Sequence, residues 1–401
     1  MKTVVEEVVK DFYILRLNDM DTSYFEAIWK IPEGITYNAF VLVTEEGAVL
    51  FDTWKYTYAE EFIENLRSIV DPRDVSHLVV HHMEQDHSGA IPLFLRENGN
   101  KAVVLGHKLT GSMLEAFYSI KPRFRAVRDG EKLTIGDKTI TFIHTPWLHW
   151  PETIMSYLEC ENYRVLLSGD AFGGYSIPST LFDDSDEIVS EYLYYVKKYV
   201  ATIIGFYSNF ILKNIGKIKS QNINPQIIAP AHGLVFRNKP EKIINYYTKL
   251  AEGRVERGKI VIVYSSMYGS VKKAISFAVE ELKRKKLKPL IYGFTDVNQP
   301  DIGEIISDIL DSEALIIGVS AYEGGLPSHI ASLLNVLVKK IKAKKRVLII
   351  SSYGWGNVAA AKVSKRLDQA GHRVVASIEF RGQPKNEDVK KIKQGLNLLL
   401  E

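Results

Sequence analysis

The 401-residue sequence contains a single cysteine, Cys160. One thiol cannot form an internal disulfide, and it cannot supply the several sulfur ligands of a zinc-finger or iron–sulfur site. Any metal that this chain binds must therefore be held by nitrogen and oxygen atoms.

Long hydrophobic runs and an excess of one charge are also missing. No apolar stretch approaches the ~20 residues that a membrane-spanning helix needs. The N-terminal segment MKTVVEEVVKDFY is charged, unlike the apolar region of a secretory signal. The net charge is only +3, from 51 basic and 48 acidic residues, which gives no reason to expect nucleic acid as a partner. We expect a cytoplasmic protein that binds neither membranes nor nucleic acid.

The two halves of the chain differ in pattern, and the length suits about two or three domains. In residues 1–252, apolar runs such as the hairpin FVLVTEEGAVLF are mixed with helical segments, which indicates helices on both faces of a pair of sheets. After a charged connector at 249–259, five apolar strands alternate strictly with helices. We therefore predict an α/β protein with a sandwich domain at 1–252 and a doubly wound, five-stranded parallel sheet at 253–401.

Three loops at strand ends in the second half predict a ligand pocket, because doubly wound sheets bind ligands at the carboxyl ends of their strands. The segment YSSMYGSV (264–271) offers hydroxyls and N–H groups at a helix N-terminus, which suits a phosphate. It lacks the lysine of an ATP-binding P-loop. The loops SAYEGGLP (320–327) and SSYGWGN (351–357) set aromatic rings beside glycines. Such rings can stack on a flat ligand, so we predict a pocket for a flat ring that carries one phosphate.

This half of the sequence resembles flavodoxin over essentially its whole length, and the resemblance implies bound FMN. One departure is Ser320-Ala321, where the flavodoxin family often has Pro-Thr. The residues that we predict to bind FMN are Ser265, Ser266, Met267, Tyr268, Gly269, Ser270, Ser320, Ala321, Tyr322, Gly324, Ser352, Tyr353, Gly354, Trp355 and Gly356.

A dense group of possible metal ligands follows a short apolar strand in the first half. The stretch HHMEQDHSGA (81–90) supplies His82, Glu84, Asp86 and His87, and four ligands within six positions favour a metal site over isolated structural histidines. His149, Asp170 and His232 follow other apolar strands. Each of these three alone could be a capping or buried residue. Together the seven supply four imidazoles and three carboxylates, enough for two metals that share one bridge.

The order of these residues resembles the metallo-β-lactamase fold, in which the usual motif is His-x-His-x-Asp-His with zinc. Glu84 stands here at the second histidine, and a carboxylate-rich site of nitrogen and oxygen ligands suits iron or manganese. With the segment LHWPE and the flavodoxin-like half, the whole pattern resembles the flavodiiron proteins, or A-type flavoproteins. The resemblance implies a metallo-β-lactamase-like diiron domain at 1–252 and a flavodoxin-like FMN domain at 253–401.

The resemblance also implies a ligand assignment. One iron would take His82, Glu84 and His149, the other would take Asp86, His87 and His232, and Asp170 would bridge them. His81 has no counterpart role, and we interpret it as structural or as a hydrogen-bond partner of the site. Tyr175 either donates a hydrogen bond near the site or packs there.

Flavodiiron proteins reduce dioxygen to water, nitric oxide to nitrous oxide, or both, and the sequence leaves open which gas applies here. The family implies a head-to-tail homodimer or a dimer of dimers. Because no Cys-x-x-Cys segment follows the flavodoxin-like half, we expect an external electron donor, rubredoxin or its reductase. Two alternatives are a zinc-dependent hydrolase of the metallo-β-lactamase type with a fused flavin domain, and an electron-carrier flavoprotein with a vestigial first domain.

Overall fold

The computed structural model describes residues 2–401, and the contacts along the backbone divide it into two units. The N-terminal unit holds the chain up to Tyr199 together with Asn209–Thr248, and the C-terminal unit holds Val200–Ser208 together with Lys249–Glu401. The boundary between residues 252 and 253 stays a prediction.

Two sheets and a short ribbon organise the N-terminal unit. The strands up to residue 230 are β1 (Thr3–Val9), β2 (Phe12–Asp19), β3 (Tyr24–Phe25), β4 (Trp29–Lys30), β5 (Ile35–Thr44), β6 (Gly47–Phe51), β7 (Val75–Val79), β8 (Val103–Gly106), β9 (Phe124–Ala126), β10 (Lys132–Ile135), β11 (Lys138–His144), β12 (Ile154–Glu159), β13 (Arg164–Gly169) and β14 (Ile227–Pro230). The helices up to residue 251 are α1 (Ala59–Arg67), α2 (Gln85–Ser88), α3 (Ile91–Glu97), α4 (Thr110–Tyr118), α5 (Asp186–Tyr199), α6 (Ser208–Ser220) and α7 (Pro240–Ala251).

In the described chain, one sheet has the order β1-β2-β5-β6-β7-β8-β9 and the second has the order β10-β11-β12-β13-β14, while β3 and β4 pair separately. Side chains that alternate along the strands of both sheets, such as Phe51 and Phe142, join one buried cluster, as expected for sheets that pack face to face. The predicted hairpin is confirmed, since Thr44 of β5 pairs with Gly47 of β6.

The C-terminal unit is a parallel, doubly wound sheet. Its elements are β15 (Glu256–Ser265), α8 (Ser270–Arg284), β16 (Leu290–Phe294), α9 (Ile302–Leu310), β17 (Ser312–Ser320), α10 (Ser328–Lys340), β18 (Arg346–Tyr353), α11 (Ala359–Gln369), β19 (Arg373–Arg381) and α12 (Asn386–Leu400). The strand order is β16-β15-β17-β18-β19, and every neighbouring pair is parallel. The predicted fold class is thereby confirmed for both halves of the chain.

Two elements end earlier than the sequence pattern predicts. The pattern of DEIVSEYLYYVKKYVATIIGFY (186–207) predicts one long helix, but α5 ends at Tyr199, and a π-helix (Val200–Ile204) and a 3-10 turn (Gly205–Tyr207) precede α6. All five residues of the π-helix are buried, whereas α5 alternates between buried and exposed residues. The apolar run VSHLVVHH (75–82) predicts a strand that reaches His82, but β7 ends at Val79.

Among residues 2–401, every helix is too short or too polar to cross a membrane.

Candidate metal centre and flavin pocket

The segment that follows β7, a loop and then the short helix α2, carries four of the predicted metal ligands. The chain leaves β7 at Val79 and enters the one-turn helix α2 at Gln85. His82 and Glu84 therefore lie on the loop, while Asp86 and His87 lie on the helix. His82, Asp86 and His87 are buried, and Glu84 keeps 15% of its side chain exposed.

The remaining ligands come from the second sheet, and strand pairing explains why two of them meet. Strands β13 and β14 are parallel neighbours, with Gly169 paired to Pro230. Their carboxyl ends lie side by side, so Asp170 and His232, which follow shortly after the two strands, reach the same point. His149 lies in the loop between β11 and β12.

The structure brings all seven predicted ligands together in two groups. The ligand atoms of each group lie within 4.8 Å of one another, one group being His82, Glu84, His149 and Asp170 and the other Asp86, His87 and His232.

Asp170 contacts imidazoles of both groups. Its Oδ1 lies 3.5 Å from His82 Nε2 and 3.0 Å from His87 Nε2. It also lies 3.6 Å from His232 Nε2, while Oδ2 lies 3.1 Å from His149 Nε2. One carboxylate therefore has an oxygen within reach of each group, as a bridging ligand requires.

Many polar atoms of this cluster are buried without a hydrogen-bond partner. They are His82 Nδ1 and Nε2, His87 Nδ1, His149 Nε2, both carboxylate oxygens of Asp86, and Asp170 Oδ1. Unpaired buried polar atoms cost free energy, and cations at the centre would give the ligand atoms partners. Imidazole and carboxylate donors without sulfur fit two iron ions.

The charges of the cluster perturb one another strongly. Burial raises the pKa of Asp86 to about 7, and the charges of Glu84 and Asp170 add to this effect. Burial opposes the charged form of His87, but Asp86 and Asp170 together raise its pKa to about 10. The cluster without metal therefore holds protons at neutral pH, and metal binding must displace them.

Three further residues orient the ligands, and sequence analysis missed these roles. Tyr199 donates from its hydroxyl to Asp170 Oδ2 at 2.7 Å. Trp150 donates from Nε1 to Glu84 Oε2 at 3.1 Å. His232 Nδ1 lies 2.7 Å from the Thr36 carbonyl oxygen, which directs Nε2 towards the cluster. Only Trp150 carried a signal, through its place beside His149 in the segment LHWPE.

His81 and Tyr175 lie outside both groups of ligands. His81 Nδ1 is 2.5 Å from Asp52 Oδ2, and its Nε2 is 3.0 Å from Ser156 Oγ. Both ring nitrogens thus bind protein groups of the surrounding sheets. Tyr175 is buried, and its ring meets the ring of Tyr199 edge-on at 5.1 Å.

A cavity of about 320 Å³ opens beside the cluster, with both Glu84 and Asp86 in its wall. Its other lining residues are Thr22, Tyr24, Phe25, Glu26, Tyr37, Lys55, Gln85, Phe117 and Trp150. The wall is rich in aromatic side chains, and the volume exceeds the needs of a diatomic gas, so a small substrate can reach the carboxylates.

A second cavity, of about 450 Å³, lies at the carboxyl ends of β15, β17 and β18 in the C-terminal unit. Twelve of the predicted FMN residues line it: Ser266, Met267, Tyr268, Ser270, Ser320, Ala321, Gly324, Ser352, Tyr353, Gly354, Trp355 and Gly356. Four lining residues were not predicted, namely Val271, Glu323, Val358 and Gly382.

The other three predicted FMN residues lie outside this lining. Ser265 is buried, with its Oγ 3.3 Å from His329 Nε2. Tyr322 forms a tight turn in which its backbone exchanges hydrogen bonds with Gly325. Gly269 supplies the left-handed backbone, with φ of +85°, from which α8 begins.

The features of the second cavity fit FMN. The N-terminus of the 15-residue helix α8 presents unpaired N–H groups of the kind that bind phosphate. The rings of Tyr268 and Trp355 at the cavity are 91% and 96% exposed, so their faces are available for stacking on a flat ring.

Comparison with known proteins agrees with these two sites. Residues 35–233 match the model of a family described as ODP family beta lactamase. The chain is 30% identical to a nitric oxide reductase of Moorella thermoacetica, with 93% of this chain and 92% of the relative covered.

Solved structures extend the likeness to both units. A variant of the flavo di-iron protein from Thermotoga maritima is 38% identical, with a TM-score of 0.94 over 100% of this chain and 99% of the other. The rubredoxin oxygen:oxidoreductase from Desulfovibrio gigas is 26% identical, with a TM-score of 0.91 over 99% and 98% of the two chains. These likenesses cover the metal centre and the flavin pocket alike, and the chain therefore belongs to the flavodiiron proteins, oxidoreductases that hold FMN and a non-haem diiron centre.

Proposed function

We propose that this chain reduces dioxygen to water, nitric oxide to nitrous oxide, or both, at two iron ions that are recharged with electrons through FMN. The observation that carries the proposal is the position of Asp170, whose oxygens lie 3.0 Å from His87 Nε2 and 3.1 Å from His149 Nε2. A carboxylate within reach of both groups of ligands suits two metals that act on one small substrate.

The proposed ligand set follows the two groups. His82, Glu84 and His149 hold one iron, and Asp86, His87 and His232 hold the other, with Asp170 as the bridge. When bound, the two ferrous ions supply open positions and electrons for a diatomic molecule. The FMN site is proposed to use the fifteen residues named from the three loops of the C-terminal half.

The side chains around the centre control its geometry and its access to solvent. The Tyr199 hydroxyl holds one oxygen of Asp170 in place, and the Trp150 indole does the same for Glu84. Phe25, Phe117 and Trp150 line the cavity beside the ligands. These rings form one part of the cavity wall, and the charged side chains of Glu26 and Lys55 form another.

The hydrolase alternative is not favoured. A zinc hydrolase of the metallo-β-lactamase type has an imidazole at the position that Glu84 occupies, and the relatives from Moorella thermoacetica and Desulfovibrio gigas are both named as oxidoreductases. Metal analysis of the purified protein tests the point, because two zinc ions without iron would support hydrolysis. The vestigial-domain alternative would gain support if Asp170→Ala left gas consumption unchanged.

We further propose that electrons come from an external donor, rubredoxin or its reductase, in keeping with the name of the Desulfovibrio gigas relative. A head-to-tail homodimer, or a dimer of dimers, would bring the flavin of one copy to the irons of another. Cytoplasmic location stays a prediction.

Mixing two inactive variants tests the dimer. One variant lacks the metal bridge through Asp170→Asn, and the other lacks FMN through combined substitution of Tyr268 and Trp355 by alanine. If subunits exchange, head-to-tail dimers recover part of the wild-type rate. A stable monomer with full activity would contradict the proposal.

The deciding experiment measures anaerobic consumption of each gas by protein loaded with FMN and iron, with a chemically reduced donor. Comparable rates would establish both activities, and a large difference would identify the preferred gas. The matched control is the same protein loaded with zinc, which we expect to consume neither gas. No turnover of either gas by the iron-loaded protein would reject the proposed function.

A further inference from the structure

The turn that carries His232 is held across its width by Asn38 of β5. The Asn38 backbone N–H donates to the Ala231 carbonyl at 2.8 Å. Its side-chain amide donates to the Pro230 carbonyl at 2.9 Å and to the Gly233 carbonyl at 3.1 Å. Asn38 therefore binds three carbonyls of the 230–233 turn: those of Ala231 and Gly233, on either side of His232, and that of Pro230.

Arg16 of β2 fixes Asn38 in this position. Arg16 Nε donates to Asn38 Oδ1 at 3.1 Å, which leaves the amide nitrogen of Asn38 directed at the turn. Arg16 Nη2 donates to the Gly233 carbonyl, and Nη1 donates to the Thr180 carbonyl at 3.1 Å. The guanidinium group thus binds both Asn38 and the turn that Asn38 holds.

Arg16 is a buried cation whose hydrogen-bond acceptors are neutral amide and carbonyl oxygens rather than a carboxylate. It is only 2% exposed, and within residues 2–401 no carboxylate forms an ion pair with it at 4.0 Å or less. Burial lowers the pKa of Arg16 to about 10, so the group is charged at neutral pH. A charge buried in this way depends on well-placed acceptors, and two of its three acceptors are Asn38 and the turn.

The ring of His232 completes this arrangement. Its Nδ1 lies 2.7 Å from the Thr36 carbonyl oxygen, and the Gly233 N–H donates to Thr36 Oγ1 at 2.7 Å. Thr36 of β5 therefore fixes both the backbone of the turn, through its hydroxyl, and the tautomer of the ring, through its carbonyl oxygen. His82, Glu84 and His149, the ligands of the other metal position, receive none of these hydrogen bonds.

We propose that Arg16 and Asn38 are positioning residues that act through the 230–233 turn on one of the two irons, the one held by Asp86, His87 and His232. The inference rests on the proposed ligand set. Outer partners of a metal ligand alter metal affinity by about 10- to 100-fold when they are removed. The effect should fall on one iron of the pair and leave the other almost unchanged.

The test uses full-length protein loaded with FMN and with ⁵⁷Fe, as wild type and as two variants. Arg16→Lys keeps the charge but loses the forked donor, and Asn38→Asp keeps the acceptor for Arg16 but loses both amide donors to the turn. We expect a chelator to remove one iron per chain about 10- to 100-fold faster from each variant, while the second iron leaves at the wild-type rate. The Mössbauer spectrum should change for one iron only.

Lys345→Met is the matched control. Lys345 is also a buried cation, and it donates to the carbonyls of Leu310 and Ser312 in the C-terminal unit. Its loss should lower the melting temperature and leave the release of both irons unchanged. Release is measured at a temperature well below the melting point of every variant, so a general loss of stability does not imitate the selective effect.

The outcomes separate this inference from the proposed function. If the wild type fails to bind two irons, the proposed ligand set is wrong. If the wild type binds two irons but both variants release them together, or release neither faster, the positioning role is wrong while the diiron centre stands. Selective release from Asn38→Asp alone would support the inference even if Arg16→Lys failed to fold.

Discussion

The hydroxyl of Tyr199 lies 2.7 Å from Asp170 Oδ2, on the carboxylate that both groups of ligands share. Burial raises the pKa of Tyr199 well above its usual value, and the charge of Asp170 adds to this effect. The phenol therefore remains protonated, and acts as a donor, over the whole physiological range. If Asp170 bridges two irons as proposed, a strong donor on its carboxylate would draw electron density away from them.

Replacing Tyr199 by phenylalanine removes this donor with little change in volume. Because Asp170 then gives more of its electron density to the metals, which favours the ferric state, the reduction potential of the diiron centre should fall. The lost hydrogen bond to a charged group should also cost about 1.5–3 kcal/mol of unfolding free energy. Spectroelectrochemical titration measures the potential.

Tyr247→Phe is the matched control, since the buried Tyr247 hydroxyl donates to the Gly173 carbonyl at 2.7 Å rather than to a ligand. It should cost stability and leave the potential unchanged. Equal potentials in all three proteins would show that the Tyr199 hydrogen bond has no electronic role.

Replacing Asp170 by asparagine should remove both irons. The amide cannot bridge two cations as a carboxylate does, and four imidazoles with two carboxylates remain. We expect less than one iron per chain by elemental analysis, and no gas consumption above background.

Asp183→Asn provides the comparison. Asp183 is a buried carboxylate in the same unit that accepts from the backbone N–H groups of Arg237, Asn238 and Lys239. This variant should lose stability and retain two irons. Retention of both irons by the Asp170 variant would instead show that the bridge is dispensable.

Replacing Trp355 by alanine should weaken FMN binding. The indole is 96% exposed at the cavity, so its removal creates no void in the core. The stacking energy of an aromatic pair corresponds to about a threefold to tenfold rise in the dissociation constant. Quenching of FMN fluorescence on titration into flavin-free protein measures it.

Trp355→Phe should restore most of the affinity, and Tyr56→Ala, which removes an aromatic ring 78% exposed in the N-terminal unit, should have no effect. An unchanged dissociation constant in Trp355→Ala would mean that this ring does not stack on the flavin.

His372 should make the C-terminal unit sensitive to acid. Burial lowers its pKa to about 4, and the charges of Lys344 and Lys345 add to this effect, whereas an unfolded histidine titrates near 6.5. Between these values the unfolded chain binds more protons than the folded chain. Stability contributed by neutral His372 is therefore complete above pH ~6.5, is lost as the pH falls towards ~4, and changes no further below that.

His372→Asn removes this titration and keeps an acceptor for the Lys345 N–H, which now donates to His372 Nδ1 at 3.2 Å. On acidification from pH 7.5 to 4.5, the wild type should lose roughly 2 kcal/mol more stability than the variant. Hydrogen exchange of amides in β17 and β18 reports on this unit separately. Parallel pH profiles for the two proteins would contradict the assignment.

Up to β19, each strand and helix of the C-terminal half could be predicted from the sequence, but no element was predicted for α12 (Asn386–Leu400). A parallel strand that is covered on both faces is a continuous apolar run, as in IIGV of β17. The helices between such strands differ visibly, because their apolar residues recur every three or four positions. The segment DIGEIISDIL predicts a helix over 301–310, and α9 is observed at Ile302–Leu310. The N-terminal half was harder, and no element was predicted for Thr3–Asp19, where β1 is largely half-buried or exposed.

The break after Tyr199 could not be predicted, because its cause is not local. All five residues of Val200–Ile204 are buried, and the segment belongs to the C-terminal unit, so the end of α5 depends on contacts with residues that are remote in sequence. The Lys340 side chain, 138 residues away, donates to the Thr202 carbonyl there.

For the predicted metal ligands, too, the sequence determined the local arrangement but not the contacts made by remote residues. Spacing along the chain determined that His82, Glu84, Asp86 and His87 form one local set, because a loop and a single helical turn leave them within a few ångströms of one another. Sequence also indicated which later residues follow apolar strands. The sequence carried no sign of three remote contacts. Tyr199 donates to Asp170, Arg16 donates to the Gly233 carbonyl, and the Thr36 carbonyl binds the His232 ring.

By itself the sequence determined the kinds of donor atom, since one cysteine among 401 residues leaves only nitrogen and oxygen, and it determined the alternation that produces the parallel sheet. Only the tertiary structure decided that Asp170 contacts both groups of imidazoles, and that an arginine without an anion holds the His232 turn. The physical reason is that periodicity reports local burial, whereas convergence depends on the pairing of strands such as β13 and β14, whose carboxyl ends, Gly169 and Pro230, are 61 positions apart in sequence.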